Sequence, residues 1–411
     1  MDIDLSSFSH DIDAFGWWLF DGCSHQKRTR RHLGVCLQAR LHEGRRKTHQ
    51  PAGMRLADSA ADGDALRQRI NRAYLNSWSD DLVRRRLQAL AEQAVPNAVA
   101  LVVDDTGIEK DGSKSPGVQR QYTGTAGKIT NCQVVVSTHL VSHRASVALE
   151  MDLYLPESWT ADRERRKEAW IPDDVVFRTK PQIALDQIRR VHAAGDVPKL
   201  VLADPAYGDN TEFRRGLDDL QLRYIVGVSS TTKVWRRGEG PDPPKPYSGR
   251  GRRPTRRLPG THQPVEVREL AEELGEDEWV EVDLRPDEDR KRKSRFAQVR
   301  VRGAKQAVQG KPPGPEQWLL IEWPEDEESP THYWLSNLQP DIDIETLAVL
   351  AKLRWRVEQD YREMKQEAGL EHYEGRRWVG FQHHLTICMA AMTWLVACRG
   401  LFPPRTSTLA P

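Results

Sequence analysis

The spacing of hydrophobic positions changes near residue 97, and that change divides the chain. Before it the pattern is helical. Ser79, Asp80 and Asp81 offer a cap, and Leu82, Val83, Leu87, Leu90 and Ala94 form a stripe that Pro96 ends. After it apolar residues run together. Val99 to Asp105 predicts a buried strand ending in two acids, and Cys132 to Val141 and Val147 to Leu155 predict two more strands. Gln182 to Ala194 predicts a helix, and Lys199 to Asp204 a second short buried strand that ends in an acid. Thr211 to Leu220 suits a helix and Leu222 to Val228 a fifth strand.

The resulting order is β-β-β-α-β-α-β. Three antiparallel strands followed by two helix-linked strands match an RNase H-like mixed sheet flanked by helices, an α/β fold. From about Ser229 to Pro330 this rhythm breaks into Pro/Gly stretches, basic clusters and period-two pieces at Trp279 to Leu284 and Phe296 to Val301. Gln317 to Trp323 and His332 to Leu335 suit further strands. Ile344 to Gly369 predicts one long helix, and Gly380 to Cys398 a final apolar one. The expected division is therefore a helical N-terminal region (1–96), a first part of the core (97–228), a β-rich basic insertion (229–330), a second part of the core (331–400) and a tail (401–411).

Composition narrows the class. A chain of 411 residues, 38% hydrophobic and 29% charged, reads as soluble and globular with two or three domains. The longest apolar run, Leu385 to Cys398, is too short to span a bilayer and reads as a core helix, so no membrane partner is expected. The acidic N-terminus carries no basic-then-apolar signal pattern. Five scattered cysteines (Cys23, Cys36, Cys132, Cys388 and Cys398) support neither zinc nor a disulfide framework and fit a reducing cytosol. The net charge of +1 announces no nucleic-acid partner, but its distribution is uneven. Basic clusters stand at Lys27, Arg28, Arg30 and Arg31; at Arg250, Arg252, Arg253, Arg256 and Arg257; and at Arg290, Lys291, Arg292, Lys293 and Arg295. Each is equally a solvated loop or a phosphate contact.

Three acids stand out by position. Asp105 and Asp204 each end a predicted strand, and such carboxylates at one sheet edge repel each other unless a cation lies between them. Oxygen-only ligands favour Mg²⁺, with Mn²⁺ as the alternative, and two such ions support in-line phosphoryl displacement. A single strand-end Asp is more often a turn or helix cap. The third acid is Glu358. Arg354, Glu358 and Lys365 stand four and seven positions apart on the predicted long helix, opposite an apolar stripe of Leu350, Leu353, Val357, Tyr361 and Met364. On spacing alone an ordinary ion pair explains Arg354 and Glu358.

These residues resemble insertion-sequence transposases of the DDE superfamily, whose third-acid helix carries Y-x-x-R-x-x-x-E-x-x-x-x-x-x-K. The chain shows that signature as Ala351, Arg354, Glu358 and Lys365, with Ala351 departing from the Tyr. The blocks Val103 to Gly107, Gly117 to Tyr122, Asn131 to Val134, Leu202 to Gly208, Glu371 to Arg376 and Gly380 to His384 carry the same resemblance, from about Leu82 to Gly400. It implies an RNase H-like catalytic core and metal binding by Asp105, Asp204 and Glu358, two ions per site. It also implies phosphate contact by Arg354 and Lys365, and DNA contact by the insertion, where Arg252, Arg253, Arg256, Arg257, Lys291, Arg292 and Lys293 are the candidates. The Thr after Asp105 matches the family's first acid; Asp104, on the other face of the strand, is the fallback, and Asp209 ranks below Asp204.

The expected function is a DNA transposase that cuts and joins element ends, acting as a homodimer on double-stranded DNA, with the N-terminal region binding ends or dimerising. A cytoplasmic, nucleoid-associated location follows from that role. The rivals are a catalytically silent DNA-binding regulator and a stand-alone RNase H-like nuclease. Blander readings attach to His383 and His384 (packing), to Trp159 and Trp355 (core or interface), and to Arg120 and Tyr122 (DNA contact or loop packing).

Overall fold

The helical pattern at the N-terminus becomes five helices: α1 (Ile12–Phe20), α2 (Lys27–Leu41), α3 (His49–Arg55), α4 (Ala60–Leu75) and α5 (Asp80–Ala94). Polar caps set three of their starts. Asp11 accepts from the Ala14 amide, Ser59 from Asp62, and Ser79 from Leu82. A computed structural model describes residues 11–401 apart from 43, 45, 125–126, 244–245, 252–259, 261, 285–292 and 305–313. It divides the chain into two compact units, Met1–Pro198 with Trp355–Pro411, and Lys199–Arg354.

In the first unit, β1 (Ala100–Glu109), β2 (Gln119–Thr123), β3 (Lys128–Val141) and β4 (Ser146–Tyr154) pair antiparallel, with β3 bonded to the other three. The sequence pattern missed β2, whose exposed face carries Arg120 and Tyr122 on a strand rather than in a packed loop. Strand β1 also runs four residues past Asp105, which therefore sits mid-strand and not at its end. Helices α6 (Glu157–Thr160), α7 (Arg163–Glu168) and α8 (Lys180–Ala194) follow. Thr179 and Gln182 form a capping box at the start of α8, with Pro181 in its first turn.

The predicted helix from Ile344 to Gly369 is two helices, α12 (Ile344–Lys352) and α13 (Trp355–Gln366), broken at Leu353 and Arg354. The final helix is α14 (Trp378–Leu401). No helix among the described residues is long and apolar enough to cross a membrane. His383 and His384 are buried on α14, as expected of packing residues. The His383 ring meets the Tyr74 carbonyl at 2.9 Å and stacks on Trp78, and His384 meets the Leu370 carbonyl at 2.7 Å. Burial lowers the pKa of both, which keeps them neutral against these partners.

In the second unit, β5 (Leu200–Ala203) pairs parallel with β6 (Arg223–Val228), joined through α9 (Pro205–Gly208) and α10 (Thr211–Asp219). The rest is β-rich: β7 (Lys233–Arg236), β8 (Val265–Glu266), α11 (Val267–Glu272), β9 (Val280–Asp283), β10 (Lys293–Gly303), β11 (Gln317–Pro324) and β12 (His332–Ser336). Strand β12 bonds β6 antiparallel, Tyr333 opposite Val228 and Ser336 opposite Ile225, so the predicted insertion continues the sheet that β5 and β6 begin. This is why the compact division falls at Pro198 and not at residue 228.

Candidate catalytic site

Strand pairing assigns the two acids of β1 to different faces. Asp104 lies opposite Ser137 on β3, and Asp105 opposite Val136. Cross-strand partners share a face and neighbours along a strand alternate. The Ser137 hydroxyl meets the Tyr361 hydroxyl of α13 at 2.6 Å, so Asp104 stands on the face that α13 covers. Asp104 is buried, and its Oδ1 accepts the Asp105 amide at 2.7 Å. Asp105 faces the start of α8. Lys180 Nζ lies 3.1 Å from each of its carboxylate oxygens. Nothing in the spacing announced Lys180; its signal was the Thr-Lys-Pro-Gln helix start, which fixes where the ammonium leaves the backbone.

Helix α13 is pinned to these strands by a buried polar chain. The Tyr361 hydroxyl meets Ser137 Oγ, which meets His139 Nε2 at 2.8 Å; His139 Nδ1 meets Asp360 Oδ2 at 2.8 Å. Ser146 donates to the other Asp360 oxygen at 2.6 Å. Burial first, and then the negative charge of Asp104, hold the Tyr361 hydroxyl well above its ordinary pKa, so it stays protonated. At the other end of α13, Lys365 donates to the Gly107 carbonyl at 2.9 Å, and burial lowers its pKa. Two contacts on one helix, Tyr361 to β3 and Lys365 to β1, fix its position on the sheet.

Glu358 is on α13 but outside its buried stripe of Val357, Tyr361 and Met364, and it is exposed. Arg354 does not share a continuous helix with Glu358, because it lies in the break before Trp355. The expected single basic-acid-basic helix face therefore reduces to Glu358 and Lys365. No Pro or Gly marks the break, so the periodicity ran through it unseen.

Asp204 belongs to the second unit, directly after β5. Its side chain caps α9 by accepting the Ala206 amide at 3.0 Å, with Pro205 in the first turn. Tyr207 is fully buried. A Cβ on Gly208 would stand 1.8 Å from the Gly227 carbonyl oxygen, so only glycine lets this turn rest against β6. These contacts hold the backbone of Asp204 rigidly. Asp209 is engaged elsewhere, accepting from the Thr232 hydroxyl at 2.6 Å and from the Ser229 amide at 3.2 Å.

Among the described residues no three His, Cys, Asp or Glu side chains form a group that could hold a metal ion. The donor chemistry of the individual acids nevertheless suits a hard divalent cation, and the Lys180 ammonium marks where both oxygens of Asp105 already meet positive charge. Of the insertion's basic candidates, Arg252, Arg253, Arg256, Arg257, Lys291 and Arg292 lie outside the described residues. Lys293 begins β10 and pairs with Glu281 across the ladder. Trp159 is a core residue whose indole donates to the Val118 carbonyl at 2.8 Å, whereas Trp355 is 40% exposed beside Arg356.

The family model described as DDE superfamily endonuclease matches residues 19–292, more than half of the chain. A probable transposase for insertion sequence element IS701, from Microchaete diplosiphon, is 34% identical over 159 residues, 38% of this chain and 39% of that protein. The alignment thus spans well under two thirds of the relative's length. With β1 carrying paired acids, α13 locked against it and a mixed sheet flanked by helices, the chain belongs to the DDE superfamily endonucleases.

Proposed function

We propose that the protein is a DNA transposase that cuts the ends of its element and joins them to target DNA. Asp105, Asp204 and Glu358 are the acids that hold the metal, and Lys365 and Arg354 are the groups that meet phosphate. The observation that carries this reading is α13 itself: hydrogen bonds from Tyr361 to β3 and from Lys365 to β1 dock the helix bearing Glu358 on the face of the strand that carries Asp104, the fallback for Asp105 on the opposite face. Two Mg²⁺ ions, or Mn²⁺ in their place, would supply an activated water or 3′-hydroxyl and a neutralised leaving oxygen. The chain's own contribution is positioning. The capped turn after β5 sets Asp204, the helix lock sets Glu358, and Lys180 balances Asp105. Basic side chains neutralise the DNA backbone, with double-stranded terminal repeats and target as partners and a homodimer holding two ends together.

The test is nicking of a supercoiled plasmid that carries the element ends, in Mg²⁺. Glu358→Gln removes a charge without changing size, and a loss of at least about a thousandfold is expected of a group this close to the chemistry. Asp105→Asn is expected to match it, while Asp104→Asn keeps measurable cleavage; the reverse ranking transfers the role to Asp104. The alternative is a catalytically silent DNA-binding regulator, against which the three acids argue. It predicts that wild type and Glu358→Gln bind the ends equally and that neither nicks. Strand-joining products exclude a stand-alone nuclease.

A further inference from the structure

The turn after α7 carries an exposed tryptophan in a backbone state that side chains avoid. Helix α7 closes with the Ile171 amide donating to the Arg166 carbonyl at 2.9 Å and the Trp170 amide to Lys167 at 3.2 Å. The residue that reverses the chain there is normally glycine. Here it is Trp170, with φ 55°. A left-handed non-glycine residue is strained and carries a cost. Burial does not offset that cost, because Trp170 is 64% exposed.

The ring is nevertheless held in place. The Arg377 guanidinium lies 4.3 Å from its centroid, and the Trp378 amide donates to the Ala169 carbonyl at 2.8 Å, tying the turn to the start of α14. Trp170 forms one wall of an open groove of about 1250 Å³. Arg163, Arg166 and Lys167 line it with the apolar Val176 and Phe177, and Asp173 is the acid facing them. Arg166 fixes the far wall by donating to the Val175 carbonyl at 2.8 Å and to Pro172 at 2.6 Å. Val176 is 63% exposed and Phe177 38%. The groove is thus preformed and cationic, and it offers an aromatic face to solvent.

We propose that this groove binds a short run of unpaired single-stranded DNA, with a base stacked on Trp170 and phosphates met by Arg163 and Lys167. Charge selects a polyanion, and the free indole face selects one whose bases are unstacked, which a duplex does not offer. The site lies outside the acids named above and rests on the DNA reading, but it does not rest on catalysis.

The experiment is fluorescence anisotropy of the full chain with a labelled short oligothymidylate and, in parallel, a hairpin duplex. Trp170→Gly is the chosen variant, since glycine suits the left-handed turn and leaves the thermal midpoint unchanged or raised. It is expected to weaken the oligothymidylate by about tenfold and the duplex by much less. Trp170→Phe restores part of the loss. Arg163→Ala lowers the slope of log affinity against log salt by about 0.7 for the single strand, one phosphate contact's worth. Unchanged oligothymidylate binding in Trp170→Gly overturns the proposal, and so does an equal loss for strand and duplex. A shift in sedimentation without a change in DNA binding also overturns it, since the occupant is then a second copy of the chain. Glu358→Gln separates the two claims. It leaves strand binding intact while abolishing nicking, and if it nicks normally the catalytic reading fails and the groove stands.

Discussion

The two units differ in where their densest charge sits. In the first, ions are buried and knotted. Arg84 on α5 is 6% exposed and donates to Glu150 at 2.9 Å, Asp152 at 3.3 Å and the Thr386 hydroxyl at 3.2 Å. Arg190 on α8 closes on the same two acids, so α5, β4, α8 and α14 share one ionic cluster. In the β-rich second unit Lys352 holds the buried Glu322, but most pairs lie outside: Arg236 with Glu273, Lys293 with Glu281, Arg295 with Glu276. There the guanidiniums also lie over rings, Arg295 at 4.4 Å from Trp323 and Arg300 at 4.7 Å from Trp318. Buried charges tolerate no loss of a partner, whereas exposed ones are screened by water and salt. The first unit therefore uses charge to lock α5, α8 and α14 to β4. The second leaves its charge where other molecules can meet it.

Four measurements break or sharpen this contrast. The largest effect is expected from Arg84→Ala, which leaves the buried Glu150 and the half-buried Asp152 underneutralised. A loss of about 3–5 kcal/mol in urea unfolding follows, and a loss below about 1 kcal/mol would show that the cluster is solvated. Acid comes next. Burial raises the Asp152 pKa, but Arg84 and Arg190 outweigh it and hold the carboxyl at about 2, below its ordinary 3.8. A depressed carboxyl stabilises the fold above its unfolded value and stops doing so as pH falls through the folded one. Stability is thus expected to fall by about 2 kcal/mol between about pH 4 and pH 2. Thermal midpoints across that range check it, and Asp152→Asn should flatten the profile. Arg295→Ala, which removes a cation from two tryptophan rings, is expected to cost about 0.5–1 kcal/mol. Lys293→Ala is smallest, with no resolvable shift in midpoint at any salt concentration; a clear shift would mean that the second unit's surface pairs also carry its stability.

Much of the fold was legible because burial imposes a period. The strands at Cys132 to Val141, Leu200 to Ala203 and Arg223 to Val228 are almost wholly buried, and Ser79 and Asp204 announce helix starts that the backbone amides then use. The helix break at Leu353 and Arg354 was not legible, since the apolar spacing continues through it and no residue there forbids a helix. Nor was the length of β1 beyond Asp105. Thr106, Gly107 and Ile108 keep their strand pairing with β3, and Gly107 has no room for a Cβ beside Thr123. The partners of the site were hidden for a third reason. Ser137, His139 and Asp360 lie more than two hundred positions apart at their extremes, and a hydrogen bond has no sequence period.

The sequence by itself determined which residues are proposed for chemistry, three acids and the cations near them, and the alternation that puts Asp104 and Asp105 on opposite faces. Only the tertiary structure decided which neighbour each one meets. Strand register gave Lys180 to Asp105 and the α13 face to Asp104, and the pairing of β12 with β6 made the β-rich stretch part of a sheet. The physical reason is range. Local patterns record the burial and capping of single elements, whereas electrostatic and hydrogen-bond partners act over a few ångströms between segments that chain order does not relate.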